Sequence, residues 1–218
     1  NKKGQTITFL AFLNRDDEIA EMLQDHYNGN INDQDGSKNS LVHLAYNQGD
    51  MKRIEYLSRR RINMNLKDRN GKTVLEIAFF GNDDSTTLDF LIRKGSNVNI
   101  LDDQNNTFLH HLLYKKNPNE DVFRVMIKRG IDYNAINKNG QFPISIAIRN
   151  SHDKLGYELL KLNCKILNRK SEHEPIVEAL NRGSKRWFET LVNYGADAMN
   201  EKVGVIAKYI KSNFFQFN

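Results

Sequence analysis

His110 and His111 are the first residues a metal site would recruit, yet adjacent positions on a helix do not face the same way, so the pair cannot converge on one ion. Glu172-His173-Glu174 sets an imidazole between two carboxylates, but no third ligand converges on it and it reads as a solvated turn. Cys164 is the only cysteine, which rules out an intrachain disulfide and a cysteine-based zinc site. As a nucleophile it would need a base and an orienting group, and no local pattern supplies them. The carboxylate pairs Asp16-Asp17, Asp83-Asp84 and Asp102-Asp103 fall at loops or helix starts, where acids cap and solubilise. Arg59-Arg60-Arg61 closes a helical run, where cations complement the helix dipole; its functional reading is a contact to phosphate or an acidic partner. Glycine-rich phosphate loops are absent. These residues predict no catalytic centre, no metal and no cofactor.

Composition bounds the rest. The 218 residues are 39% hydrophobic and 27% charged, with a net charge of +5 and an unusual abundance of Asn. Charge is uneven: through Asp35 three Lys/Arg face seven Asp/Glu, a net of −4 that leaves +9 for the remainder. Nucleic-acid binding would need a broader basic groove with stacking aromatics, so the composition argues against it. No apolar run is long enough to span a bilayer and the first residues lack a signal-peptide core. The chain starts at Asn and in mid-motif, which predicts a fragment of a longer protein.

The elements that position these side chains repeat. Residues 65–99, NLKDRNGKTVLEIAFFGNDDSTTLDFLIRKGSNVN, hold a polar turn with Gly71, an apolar run from Thr73 to Ala78, and a second run through Leu88, Phe90, Leu91 and Ile92 that closes on Lys94-Gly95. A period near 33 places similar units along the chain. The turn Asp-x-x-Gly-x-Thr, the helix opening after it and the closing Gly-Ala-Asp resemble the ankyrin repeat, as in Tyr194-Gly195-Ala196-Asp197.

That resemblance implies an all-α solenoid of paired antiparallel helices with protruding β-turn loops, in six repeats at about 1–31, 32–64, 65–98, 99–133, 134–166 and 167–200. Val203, Ile206 and Ile210 recur at helical spacing, so 201–218 is expected to form a C-terminal capping helix and tail. In the first repeat Ile19, Met22 and Leu23 are expected to be the buried face of the second helix. Small residues at Ala11, Ala45, Ala78, Ala147 and Ala179 let helices approach; Leu112 replaces them in repeat four, whose loop from Lys115 to Glu120 is longer, and a local widening is expected across repeats four and five. Thr6, Thr73 and Thr107 keep one member of the family's Thr/His pair and His43 and His110 the other, while Lys38 stands at the turn glycine of repeat two.

The resemblance also implies a protein-binding face built from turn tips and the exposed ends of first helices. The tips are Lys67, Arg69, Asn70, Asp103, Gln104, Lys138 and Asn139. The groove residues are Asn47, Gln48, Phe80, Gly81, Tyr114, Lys115, Arg149, Asn150, Asn181 and Arg182. Phe80 and Tyr114 beside Lys115, Arg149 and Arg182 predict a protein partner with apolar anchors and acidic flanks across repeats three to six. The alternative is that both aromatics tuck between repeats. The leading reading is a non-catalytic protein-interaction module in the cytoplasm. A second makes it the targeting arm of a longer multidomain enzyme. The Asn-, Lys- and Ile-heavy composition also resembles ankyrin effectors delivered by intracellular bacteria, for which the partner would be a host protein in host cytosol.

Overall fold

A computed structural model describes residues 4–81, 84–167 and 174–195, and the described residues contain twelve α-helices. Two compact units divide the chain, Asn1–Val98 and Asn99–Asn218. The capping helix expected over 201–218, the His173 turn and the Ala196-Asp197 signature lie outside the described residues.

The first unit holds α1 (Ile7–Leu13), α2 (Asp17–His26), α3 (Leu41–Asn47), α4 (Met51–Arg59), α5 (Val74–Phe80) and α6 (Ser85–Arg93). Each short first helix packs on the longer second helix of its own repeat, and α3 lies between α1 and α5. A helix of seven residues is not stable alone, so its start must be held. Ser40 and His43 form a capping box on α3, and Thr73 and Glu76 form one on α5. Ser thus stands in for Thr and Glu for His, and the local function survives the divergence of the motif. The second helices start on acids: Asp16, Asp50 and Asp84 each accept a backbone N–H three residues on.

The second unit holds α7 (Phe108–Tyr114), α8 (Glu120–Lys128), α9 (Pro143–Arg149), α10 (Asp153–Lys161), α11 (Pro175–Asn181) and α12 (Lys185–Asn193). Thr107 and His110 box the start of α7, whereas Pro143 and Pro175 occupy the first turns of α9 and α11, where the missing N–H costs nothing. The widening expected between repeats four and five is not seen in the packing of their first helices; the looser packing lies within repeat four. There α7 and α8, joined by the longer loop, pack the loosest of the helix pairs, while α7 lies directly against α9.

Two side-chain devices recur within both units. Asp35, Asp68, Asp102 and Asn137 each use Oδ1 to accept backbone N–H groups two and four residues ahead, at 2.7–3.1 Å. This closes a finger whose next corner has positive φ at Lys38, Gly71, Asn105 and Gly140. Just before the finger, an Asn at the start of each of repeats two to five reaches the backbone where that repeat ends and the next begins. Asn32 accepts from the Asn63 N–H and Asn65 from the Asn97 N–H in the first unit, both at 2.7 Å. Asn99 accepts from Asp132 and Asn134 from Lys165 in the second, again at 2.7 Å. Asn65 and Asn99 also donate to the carbonyls of Gly95 and Gly130.

One expectation of burial fails. Ile19 and Met22 are 43% and 46% exposed, and Ala20 is the buried residue of α2. Among the described residues α2 packs its buried side on α1 and meets α4 through polar side chains, Arg53 on Asp17 and Tyr56 and Arg60 on Glu21, so Ile19 and Met22 stay open. The five small residues are buried as expected, from Ala11 to Ala179, and Leu112 is buried in their place in repeat four.

Candidate functional site

In the first unit the outward positions cluster on the C-terminal ends of α3 and α5 and on the fingers before them. Asn47 and Gln48 end α3 and are exposed. Phe80 ends α5 with its ring 45% exposed, edge-on to the buried Phe79 at 5.1 Å. Lys72 lies over the Phe80 ring at 4.9 Å, a cation–π contact that joins the helix end to the finger. Gly81 caps the helix and is exposed. Lys67, Arg69 and Asn70 project from the finger of repeat three. That finger is tied to its neighbour: the Arg69 N–H donates to the Ser37 carbonyl at 3.2 Å, its guanidinium to Gly36 at 2.8 Å, and Gln34 donates to Lys67 at 2.8 Å.

The second unit carries a polar chain through three repeats. His111 Nε2 lies 2.9 Å from Asp102, which accepts from the Asn106 amide at 3.0 Å. Asn106 accepts from Asn137 at 2.9 Å, and Asn137 reaches the Tyr114 hydroxyl at 3.1 Å. The Gln141 amide lies 2.7 Å from that hydroxyl; with its oxygen turned to Arg149 it accepts from the guanidinium at 2.6 and 3.0 Å. Arg149 closes the chain on Glu178, with one bond of 2.9 Å and a second beside it. Tyr114 is 42% exposed, so this chain fixes an aromatic ring that faces outward. Burial raises its phenol above the ordinary value, opposed by the Asn137 hydrogen bond.

The cations predicted to meet acidic flanks are engaged within the chain. Glu178 is 3% exposed and pairs with Arg149 in a fork, raising the guanidinium pKa. Arg182 pairs with Asp153, and the guanidinium holds that carboxyl below its usual range. Their charge is therefore compensated, which is not legible in the sequence because each acid sits a repeat away or inside an apolar run. Asn150 donates to the Leu113 carbonyl at 2.9 Å, and the Lys115 carbonyl is met by His152 at 3.0 Å. Lys138 is exposed at its tip, and its N–H donates to Gln104 at 2.8 Å. Asp103, Gln104, Asn139 and Asn181 are exposed. Leu101 and Ile136, 50% and 41% exposed, were not among the expected site residues. Their signal is an aliphatic side chain directly before the turn-closing Asp102 or Asn137, where the first unit has Gln34 and Lys67.

Of the other chemistry-bearing groups, Cys164 is buried and Arg59 and Arg60 are paired within the chain. Burial pushes the Cys164 thiol up to about 11, so it is not a thiolate at neutral pH. Arg59 pairs with Glu55 and Arg60 with Glu21. Among the described residues there is no group of three acidic, His or Cys side chains placed to hold a metal ion, and no helix is long and apolar enough to cross a membrane.

A family model described as ankyrin repeats (3 copies) matches residues 8–102, 41–137 and 77–170. A Dictyostelium discoideum protein named "Probable serine/threonine-protein kinase" is 34% identical over 97 residues, which are 44% of this chain and 11% of that relative's length. The crystal structure of the ankyrin repeat domain of Bcl-3, a unique member of the IkappaB protein family, superposes with a TM-score of 0.59 over 73% of each chain at 18% identity, a likeness of fold alone.

Proposed function

Because this chain belongs to the ankyrin-repeat family, we propose that it is a protein-interaction module whose contact positions are the turn tips and the C-terminal ends of its first helices. The observation that carries this is the pair Phe80 and Tyr114. They occupy the same place at the end of α5 and α7, both are close to half exposed, and both are held on a capped helix by a defined partner. Exposed aromatics fixed on rigid elements lose little entropy on binding and are enriched where binding energy concentrates. The Asn47, Gln48, Lys115, Asn150 and Lys138 positions would then supply polar contacts around them. A lone, inert thiol suits a reducing compartment such as cytosol.

The test is affinity capture from cell lysate with wild type and with Phe80→Ala and Tyr114→Ala. A polypeptide retained by wild type and lost by about tenfold or more in either variant supports the reading. Equal retention by both variants, each folded by circular dichroism, overturns it. A second reading, that the module is the recognition arm of a longer protein, draws on the Dictyostelium relative, in which the matching stretch is 11% of a protein named as a kinase.

A further inference from the structure

The fingers of repeats two and three differ from those of the second unit in the sign of what they present. Lys38, Lys67 and Arg69 are all exposed, and among the described residues none has an acidic side chain within ion-pair distance. The acids of these fingers face inward. Asp35 and Asp68 spend their carboxylates on the backbone N–H groups that close each turn, and Glu76 is 7% exposed and holds the start of α5. Hydrogen bonds between the two fingers fix the spacing of the cations: Gln34 donates to the carbonyls of both Lys38 and Lys67, and Arg69 is anchored on Gly36. Lys72 lies over the Phe80 ring and is paired with Glu76 at 3.4 Å, so the uncompensated charge is that of Lys38, Lys67 and Arg69. In the second unit, by contrast, the tips mix Asp103 with Lys138, and Arg149 and Arg182 are neutralised in place.

Resting on the protein-binding reading above, we propose that the fingers of repeats two and three, with Phe80, form a docking site for an acidic polypeptide segment that carries an apolar side chain. The cations give long-range attraction and register, and Phe80 gives the apolar contact that salt does not screen. A polypeptide fits better than a nucleic acid, because one half-exposed ring beside three cations offers neither a continuous basic groove nor successive stacking platforms.

The probe is a fluorescein-labelled twelve-residue peptide alternating Glu and Leu, titrated against the whole chain by anisotropy, with an oligo-dT of equal charge in parallel. Saturable peptide binding should weaken by about tenfold in Phe80→Ala and by at least that in Lys38→Gln/Lys67→Gln/Arg69→Gln, while Lys161→Gln, at an exposed lysine that ends α10, leaves it unchanged. The neutral triple variant keeps side-chain length, and charge-reversed Lys67→Glu serves as a second variant should it fold poorly. Peptide binding unaffected by either set overturns the proposal, as does tighter binding of the oligo-dT than of the peptide. Absence of peptide binding, with capture still lost in Phe80→Ala or Tyr114→Ala, overturns the acidic site and leaves the interaction module standing.

Discussion

His43 and His110 each join a helix start to the following repeat. In both, Nδ1 accepts from a backbone N–H, of Ser40 at 3.2 Å and of Thr107 at 3.1 Å, so the proton sits on Nε2 and is donated to Lys72 or Gln141. A second proton on Nδ1 would break the cap. Burial lowers both pKa values below the ordinary 6.5, opposed in part by the carbonyl bond. The sign follows: the unfolded chain takes up protons first, so the stabilisation is complete above 6.5 and is lost as pH falls from there toward the depressed folded values. Denaturant midpoints should fall between about pH 7 and about pH 5.5, and the fall should shrink in His43→Gln/His110→Gln. An unchanged slope in that variant would refute the role. Both histidines could be read from the Thr/His pattern. Ser40 and Glu76 could not, because they satisfy the same hydrogen bonds with other chemistry and break the motif while keeping its geometry.

At the scale of the element, α10 shows how one residue without a side chain seats another. Gly156 faces Trp187 of α12, and a Cβ there would lie 2.8 Å from the indole ring. The ring cannot retreat: it stacks on Tyr157 at 4.3 Å, and its N–H donates to Asp153 at 2.7 Å. Gly156→Ala gains about 1 kcal/mol of helix propensity but overpacks by about 1–3 kcal/mol, so a net loss of stability is expected. Trp187 is the only tryptophan, so its fluorescence reports this site directly. Adding Trp187→Phe should restore part of the loss, and a stable Gly156→Ala with an unshifted emission maximum would contradict the contact. Repeat periodicity makes helix pairs of this kind legible, since turn acid, helix opening and closing glycine recur. Which side chain fills a given gap is not legible, because Asp153, Gly156 and Trp187 gain meaning only when α10 and α12 are adjacent.

For the whole molecule, stability should follow how completely each helix is enclosed within its own unit. In α9 the residues from Pro143 to Ile148 are all buried, whereas α2 buries Ala20 alone. Hydrogen exchange should therefore reach α2 well before α9 and α11, and equal protection would show that α2 is covered by contacts the described residues lack. The exposed Ile19 and Met22 mark the limit of reading such a chain by pattern. Periodicity says which face of a helix is apolar, but only the arrangement of neighbours says whether that face is used.

The asparagine contacts that join the start of each repeat to its end bear on how such a chain can change. The four spans they close run to 31, 32, 33 and 31 residues, yet the bond length is the same in each. The amide acts as a gauge that fixes separation at the base of the fingers while the intervening chain varies in length. The longer loop of repeat four, 115–119, is absorbed between α7 and α8 and leaves the Asn99 contact intact. Insertions can thus accumulate in the loops between paired helices without disturbing the spacing of the fingers, and recognition can be retuned in one repeat while its neighbours keep their register.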